Sequence, residues 1–156
     1  MGFMKATVLA LALLKQLEGW REKPYKDGGN KLTIGYGHLM RPDEKYTKIT
    51  KEKGEALFAL DVQEAEDIVN NAVTVDLEQS EFDALVLFVY NIGGEKFLKS
   101  GTLRVLNSGD YAGALARMQL WNKITMEDGT LKVSRGLKNR RTTEAKVWHG
   151  NYPKVS

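Results

Sequence analysis

The chain reads as an α+β fold, mostly helical, in which a small N-terminal antiparallel β-hairpin lobe is joined by a long helix to a helical C-terminal lobe. Three observations predict this. An apolar run steps by threes through Val8, Leu11, Leu14 and Leu17 and stops at Gly19, which is a helix with a glycine end. The pattern then changes to Tyr25-Lys26-Asp27, Gly28-Gly29-Asn30 and Leu32-Thr33-Ile34-Gly35, which is strand, turn and strand. From Lys51 to about Asn71 a third pattern follows, with Ala56, Leu57, Leu60, Ala65, Ile68 and Val69 along one face of a helix long enough to link two lobes.

Taken in order, the first helix presents Glu18 at its end. Gly35 to Leu39 continues as a short strand, and Arg41 to Lys48, with Pro42, is a polar connection. Thr50 is placed to cap the linking helix. Leu77 to Ile92 carries Phe82, Leu85, Val86, Val89 and Ile92 at helical spacing with few charges, which predicts the buried central helix of the second lobe, ended by Gly93-Gly94. Two shorter helices are expected at about Gly101 to Leu106 and from Asp110 to about Trp121. A polar loop interrupted by Gly129 leads to the last helix, from Ser134 or Arg135 to Trp148, with Gly150 as its stop and Pro153 beyond. With no repeat or low-complexity segment, residues 1–156 suit one domain, about 1–72 forming the N-terminal helix, β lobe and linking helix, and about 73–156 the helical lobe.

Composition narrows the chemistry. The absence of cysteine excludes disulfides, thiol nucleophiles and cysteine-ligated metals, and two histidines, His38 and His149, are too few for a histidine-rich zinc site. No metal and no cofactor is expected. Lys and Arg number 23 against 20 Asp and Glu, a net charge of +3 with a pI near 9.0, and the excess falls late, at Lys132, Arg135, Lys138, Arg140, Arg141 and Lys146. Such a region attracts polyanions, either nucleic acid or the anionic bacterial envelope. The apolar run from Ala6 to Leu14 reads as a core helix rather than a cleaved signal peptide, because cleavage there would delete most of the helix that presents Glu18. It is also far shorter than a membrane span.

The segment from Glu18 to His38 is where reactive side chains gather. A helix end and a hairpin meeting at a cleft would hold Glu18 and Asp27 on opposite walls, able to protonate a leaving group and activate a water. For that, Glu18 needs apolar surroundings that keep it protonated, while Asp27, beside a glycine-rich turn, stays hydrated and ionised. Thr33 offers a hydroxyl to hold the water. A glutamate and an aspartate nine positions apart say little alone, but glycines on both sides of Tyr36 and before His38 exceed what a surface hairpin requires.

Leu17-Glu18-Gly19, Tyr25-Lys26-Asp27 and Thr33-Ile34-Gly35-Tyr36-Gly37-His38 closely resemble the signature of phage-type lysozymes, the endolysins of glycoside hydrolase family 24. The likeness continues in order through Gln79, Phe82-Asp83-Ala84-Leu85, Asn91-Ile92-Gly93, Trp121, Gly136-Leu137, Arg140-Arg141 and Glu144. It implies a lysozyme-like two-lobed fold and hydrolysis of the β-1,4 bond between N-acetylmuramic acid and N-acetylglucosamine in peptidoglycan, mostly with inversion. By position, Glu18 resembles the general acid, Asp27 the second carboxylate and Thr33 the residue that orients the water. An inverting pair should stand roughly 6.5–9.5 Å apart. Leu39, Tyr90, Asn91 and Thr102 are similar to residues lining the sugar cleft, and Arg140, or the adjacent Arg141, to the arginine that pairs with the catalytic glutamate. His38 is expected in a structural ion pair with Asp61 rather than in catalysis.

The resemblance further implies synthesis in the host cytoplasm, action on the wall in the periplasm or outside the cell, and a monomer without nucleic-acid partner or stable membrane anchor. Leu120, before Trp121, departs from relatives with a basic cleft residue there, and Met1 to Thr7 fits no motif. Three alternatives stay open: a non-catalytic peptidoglycan-binding module, in which Glu18 is dispensable; a lytic transglycosylase, which uses a lone acid and forms an anhydro product, and against which Asp27 and Thr33 speak; and a nucleic-acid-binding helix at the basic end, which gives no role to the hairpin.

Overall fold

The computed structural model describes residues 3–26 and 31–156. Asp27 and the Gly28-Gly29-Asn30 turn lie outside the described residues. Seven helices and five strands are described. Helix α1 (Val8–Glu18) leads into an antiparallel sheet of order β1-β2-β3, made by β1 (Arg21–Lys26), β2 (Leu32–Gly35) and β3 (His38–Leu39). Helix α2 (Lys51–Ala72) crosses to a helical lobe built from α3 (Gln79–Ile92), α4 (Gly94–Leu98), α5 (Gly101–Asn107), α6 (Tyr111–Gln119) and α7 (Arg135–Trp148). The mixed architecture, a small antiparallel sheet beside a helical lobe, is the predicted one.

Local chemistry explains the element ends. Thr7, Thr50, Ser100, Asp110 and Ser134 each accept a hydrogen bond from a first-turn backbone N–H of the helix they precede. Gly19, with φ at 73°, ends α1, its N–H donating to the Lys15 carbonyl at 2.9 Å. Strand β1 starts earlier than expected and runs through Pro24. That is permitted because β1 is an edge strand whose register shifts between Arg21 and Tyr25.

Two differences concern short elements. Gly93-Gly94 does not simply stop α3: Gly93 caps it and Gly94 opens α4. Between α6 and α7 the expected polar loop is a hairpin, β4 (Lys123–Thr125) with β5 (Leu131–Val133), paired Lys123 to Val133, Ile124 to Lys132 and Thr125 to Leu131. Both strands are exposed throughout, so no burial pattern announces them.

The apolar side chains form two cores. In the larger, α3 is surrounded by α1, α2 and α7, and every residue from Phe82 to Val89 is buried, as for a helix apolar all round. The smaller gathers Ile34, Ile49 and Leu57 with Trp20, Met40 and Tyr46 packed against it. Helix α2 serves both, sending Leu57 into the smaller and Phe58 into the larger. Leu13 and Leu14 of α1 also join the larger core, so by packing α1 goes with the helical lobe rather than with residues 19–49.

The segment before α1 is held as well. Met4 exchanges two hydrogen bonds with the Asn70 amide, and the Thr7 N–H and hydroxyl donate to the fully buried Asp83 carboxylate at 3.0 and 2.6 Å. Among the described residues, no helix is long and apolar enough to cross a membrane.

Candidate active site

Between the two cores lies a cleft of about 700 Å³, lined by Glu18, Thr33, Gly37 and Leu39, by Asp61 of α2 and by Tyr90 and Asn91 of α3. Each arrives by a local rule. Glu18 is the last residue of α1, so the turn at Gly19 releases the chain there and leaves the carboxylate at the cleft. In β2, alternation sends Ile34 into the small core and Thr33 to the other face, where it stands across from Leu39 of β3.

One Glu18 oxygen, Oε2, accepts from Arg140 Nη1 at 2.7 Å. The other, Oε1, lies over Gly37, where an added Cβ would overlap it. Gly37 has φ at 75°, so both space and backbone conformation call for glycine. Of the two candidate arginines, then, Arg140 reaches Glu18. Its Nη2 also donates to the Leu87 carbonyl at 2.9 Å and its Nε to Glu144 at 3.3 Å, so a single guanidinium ties α1, α3 and α7 together.

Arg141 turns the other way. Its Nη1 donates to both Glu144 oxygens at 2.7 Å, its Nε to the Trp121 carbonyl at 2.8 Å, and its Nη2 to the Asn91 side-chain oxygen. Burial pushes the Glu144 carboxyl above its ordinary value, against the pull of Arg141 and Arg140. The carboxylate role of Glu144 went unassigned in the sequence, although its spacing of three and four from the arginines is that of helix-face partners.

The remaining expected residues divide. The Tyr90 phenol donates to the Tyr36 carbonyl at 2.6 Å, so its hydroxyl braces the strand-following turn while its ring faces the cleft, and burial pushes its ionisation far up. Leu39 is half exposed on the cleft wall. Thr102, expected on the far wall, is 1% exposed and does not line the cleft. It shares the buried face of α5 with Leu103 and Leu106, and the hydroxyl that caps α5 is that of Ser100.

His38 is buried with Asp61 2.7 Å from Nδ1, as expected, and with Glu44 2.9 Å from Nε2, which was not. The hydrogen bond to Asp61 raises its pKa above the usual 6.5, burial opposes, and Glu44 adds to the rise. Glu44 sits in the polar connection with no periodicity to mark it. Its carboxylate also accepts from the Arg41 N–H at 2.7 Å, which turns the loop back onto the histidine. Among the described residues, no group of three or more acidic, histidine or cysteine side chains is arranged to hold a metal ion.

The phage lysozyme family model matches residues 15–144. An endolysin of Bacillus phage PZA is 38% identical over 153 residues, 97% of this chain, although the chain spans only 57% of that protein's length. Among solved structures, the endolysin from Escherichia coli O157:H7 phage FAHEc1 superposes with a TM-score of 0.84 at 38% identity, covering 98% of this chain and 99% of that one. The muramidase domain of SpmX from Asticaccaulis excentricus gives 0.81 at 33% identity, covering 92% and 97%. With most of its length matched by the family model, and the fold matched over nearly all of it, the chain belongs to the phage lysozyme family.

Proposed function

We propose that the chain is a muramidase that hydrolyses the β-1,4 bond between N-acetylmuramic acid and N-acetylglucosamine in bacterial peptidoglycan, with inversion, acting on the wall after synthesis in a host cytoplasm. It acts as one two-lobed domain, as a monomer and without a cofactor. The observation that carries this reading is the Glu18 carboxylate held in the cleft by Arg140, with Thr33 lining the same cleft. Supporting it are the cleft volume, within the roughly 300–1,000 Å³ of ligand sites, and the names of the relatives.

Cleavage of a glycosidic bond passes through an oxocarbenium-like state, so the leaving oxygen needs a proton and the anomeric carbon needs a water on its opposite face. Glu18 supplies the proton. Asp27 takes one from the attacking water, which the Thr33 hydroxyl orients. Arg140, fixed by three partners, holds the Glu18 carboxyl in one position so that little reorganisation is left for the reaction itself. Leu39, Tyr90 and Asn91 form cleft surface against which the sugars lie.

Glu18→Gln keeps the shape and removes the acid. Clearing of a cell-wall suspension should then fall by at least about 10²- to 10⁴-fold, with the circular dichroism spectrum and cooperative melting retained. A folded variant that clears the suspension at the wild-type rate would refute the assignment.

A further inference from the structure

Tyr36 stands between Gly35 and Gly37, whose φ angles of 67° and 75° place both in the left-handed region. Glycine enters that region at little cost and leaves it as easily, so this tripeptide does not fix its own shape. Something outside it must. The need is greatest at Gly37, which abuts the working end of Glu18: a Cβ there would meet Oε1, Cδ and Cγ of that side chain. Any turn of the Tyr36–Gly37 peptide therefore changes what faces the carboxyl.

The holding contacts come from three helices. The Tyr36 ring centroid is 5.1 Å from that of Trp20 and 5.6 Å from that of Phe58 on α2. Its hydroxyl accepts from Lys51 at 3.0 Å and donates to Glu55 at 3.4 Å, and Glu55 in turn pairs with Lys15 of α1 at 2.6 Å. These contacts grip the side chain. The backbone is gripped from α3, where the Tyr90 phenol donates to the Tyr36 carbonyl at 2.6 Å, a tie between residues 54 positions apart. Because a peptide unit is planar, pinning that carbonyl pins the whole Tyr36–Gly37 plane. Burial pushes the ionisation of Tyr90 far up, with the Asp61 and Glu18 charges adding to it, so the phenol stays a donor.

We propose that Tyr90 is a positioning residue for the reaction: through the Tyr36 carbonyl and the Gly37 that follows, its hydroxyl keeps the Glu18 carboxyl where it can deliver its proton. The proposal rests on the muramidase reading, and it gives the two ends of one side chain different work. The ring is cleft surface, while the hydroxyl is turned into the protein and meets no sugar. Arg140 holds Oε2 from α7, and the pinned peptide backs Oε1 from the sheet side.

Tyr90→Phe keeps the ring and removes the tie. On soluble, uncross-linked glycan strands kcat should fall about ten- to hundredfold with KM within about twofold of wild type, because a displaced reacting group loses rate rather than binding. The ¹³C resonance of the Glu18 side-chain carboxyl should move in the same variant, without substrate and with cooperative melting retained. Tyr36→Phe is the control. It takes a hydroxyl from the same aromatic stack but leaves the carbonyl tie, so kcat should stay within about twofold and the Glu18 resonance should not move. A raised KM with kcat kept in Tyr90→Phe would mean that the hydroxyl touches sugar. Equal falls in both variants would mean that the stack matters and the tie does not, and wild-type constants in Tyr90→Phe would mean that the tie does nothing; each of these overturns the proposal. A wild type inactive on these strands would instead overturn the muramidase reading, and the carboxyl resonance would still show whether the tie reaches Glu18.

Discussion

Single side chains at this site are held by more partners than their visible role requires. Arg140 has three, and His38 has a carboxylate on each ring nitrogen. The histidine makes a pH-dependent prediction. Its folded pKa lies above 6.5, so the stabilisation it gives is complete below the unfolded value and is lost as pH rises through the folded one. Asp61→Asn removes the largest cause of the rise and should cost about 1.5–3 kcal/mol at about pH 6, less at about pH 9. Urea unfolding of both proteins at the two pH values checks this, and an equal difference at both would contradict it. The Asp61 pairing was legible in the sequence because the resemblance supplied a partner for His38. The pairing with Glu44 was not, since a loop folding back on a histidine leaves no period to read. Thr102 misled because a small hydroxyl residue near a helix start is marked alike whether it faces a cleft or a core.

Elements were legible in proportion to the apolar surface they bury. Helices α1, α2, α3 and α7 follow their periodicity to within a residue or two, and Thr50 and Asp110 cap as their residue types predict. The β4–β5 hairpin buries nothing, yet Asp128-Gly129 lies between the Ile124-Thr125 and Val133 runs, a hairpin signal that outranks the polarity of the loop. Within α2, Gly54 shows how packing overrides propensity. At an open helix position Gly→Ala gains about 1 kcal/mol. Here a Cβ would overlap the Trp20 ring, a rigid neighbour that cannot step aside. Gly54→Ala should therefore destabilise by about 1–3 kcal/mol, lowering Tm by about 2 to 4 °C per kcal/mol. A variant that melts higher than wild type would show that the ring yields.

At the scale of the whole molecule, two cores sharing one helix leave a cleft between them, and the reactive groups stand where the cores meet. The larger core is tied shut at Asp83, which is fully buried and accepts from Thr7, from the Gln79 amide at 3.0 Å and from the Tyr152 phenol. Residues from near both ends of the sequence thus meet on α3. That knot could not be read from the sequence, where Thr7 carries only a capping signal and Asp83 interrupts an apolar run. Asp83→Ala strands these donors and should cost at least about 3 kcal/mol in denaturant unfolding; a loss below about 1 kcal/mol would mean that water replaces the carboxylate. Protonation of a glycosidic oxygen by Glu18 while water attacks the anomeric carbon is read out by digesting cell wall in ¹⁸O-labelled water and weighing the released muropeptides. Wild type should release reducing-end muramic acid carrying solvent oxygen, and Glu18→Gln none. Anhydro ends without solvent oxygen, or the same labelled products from the variant, would contradict it.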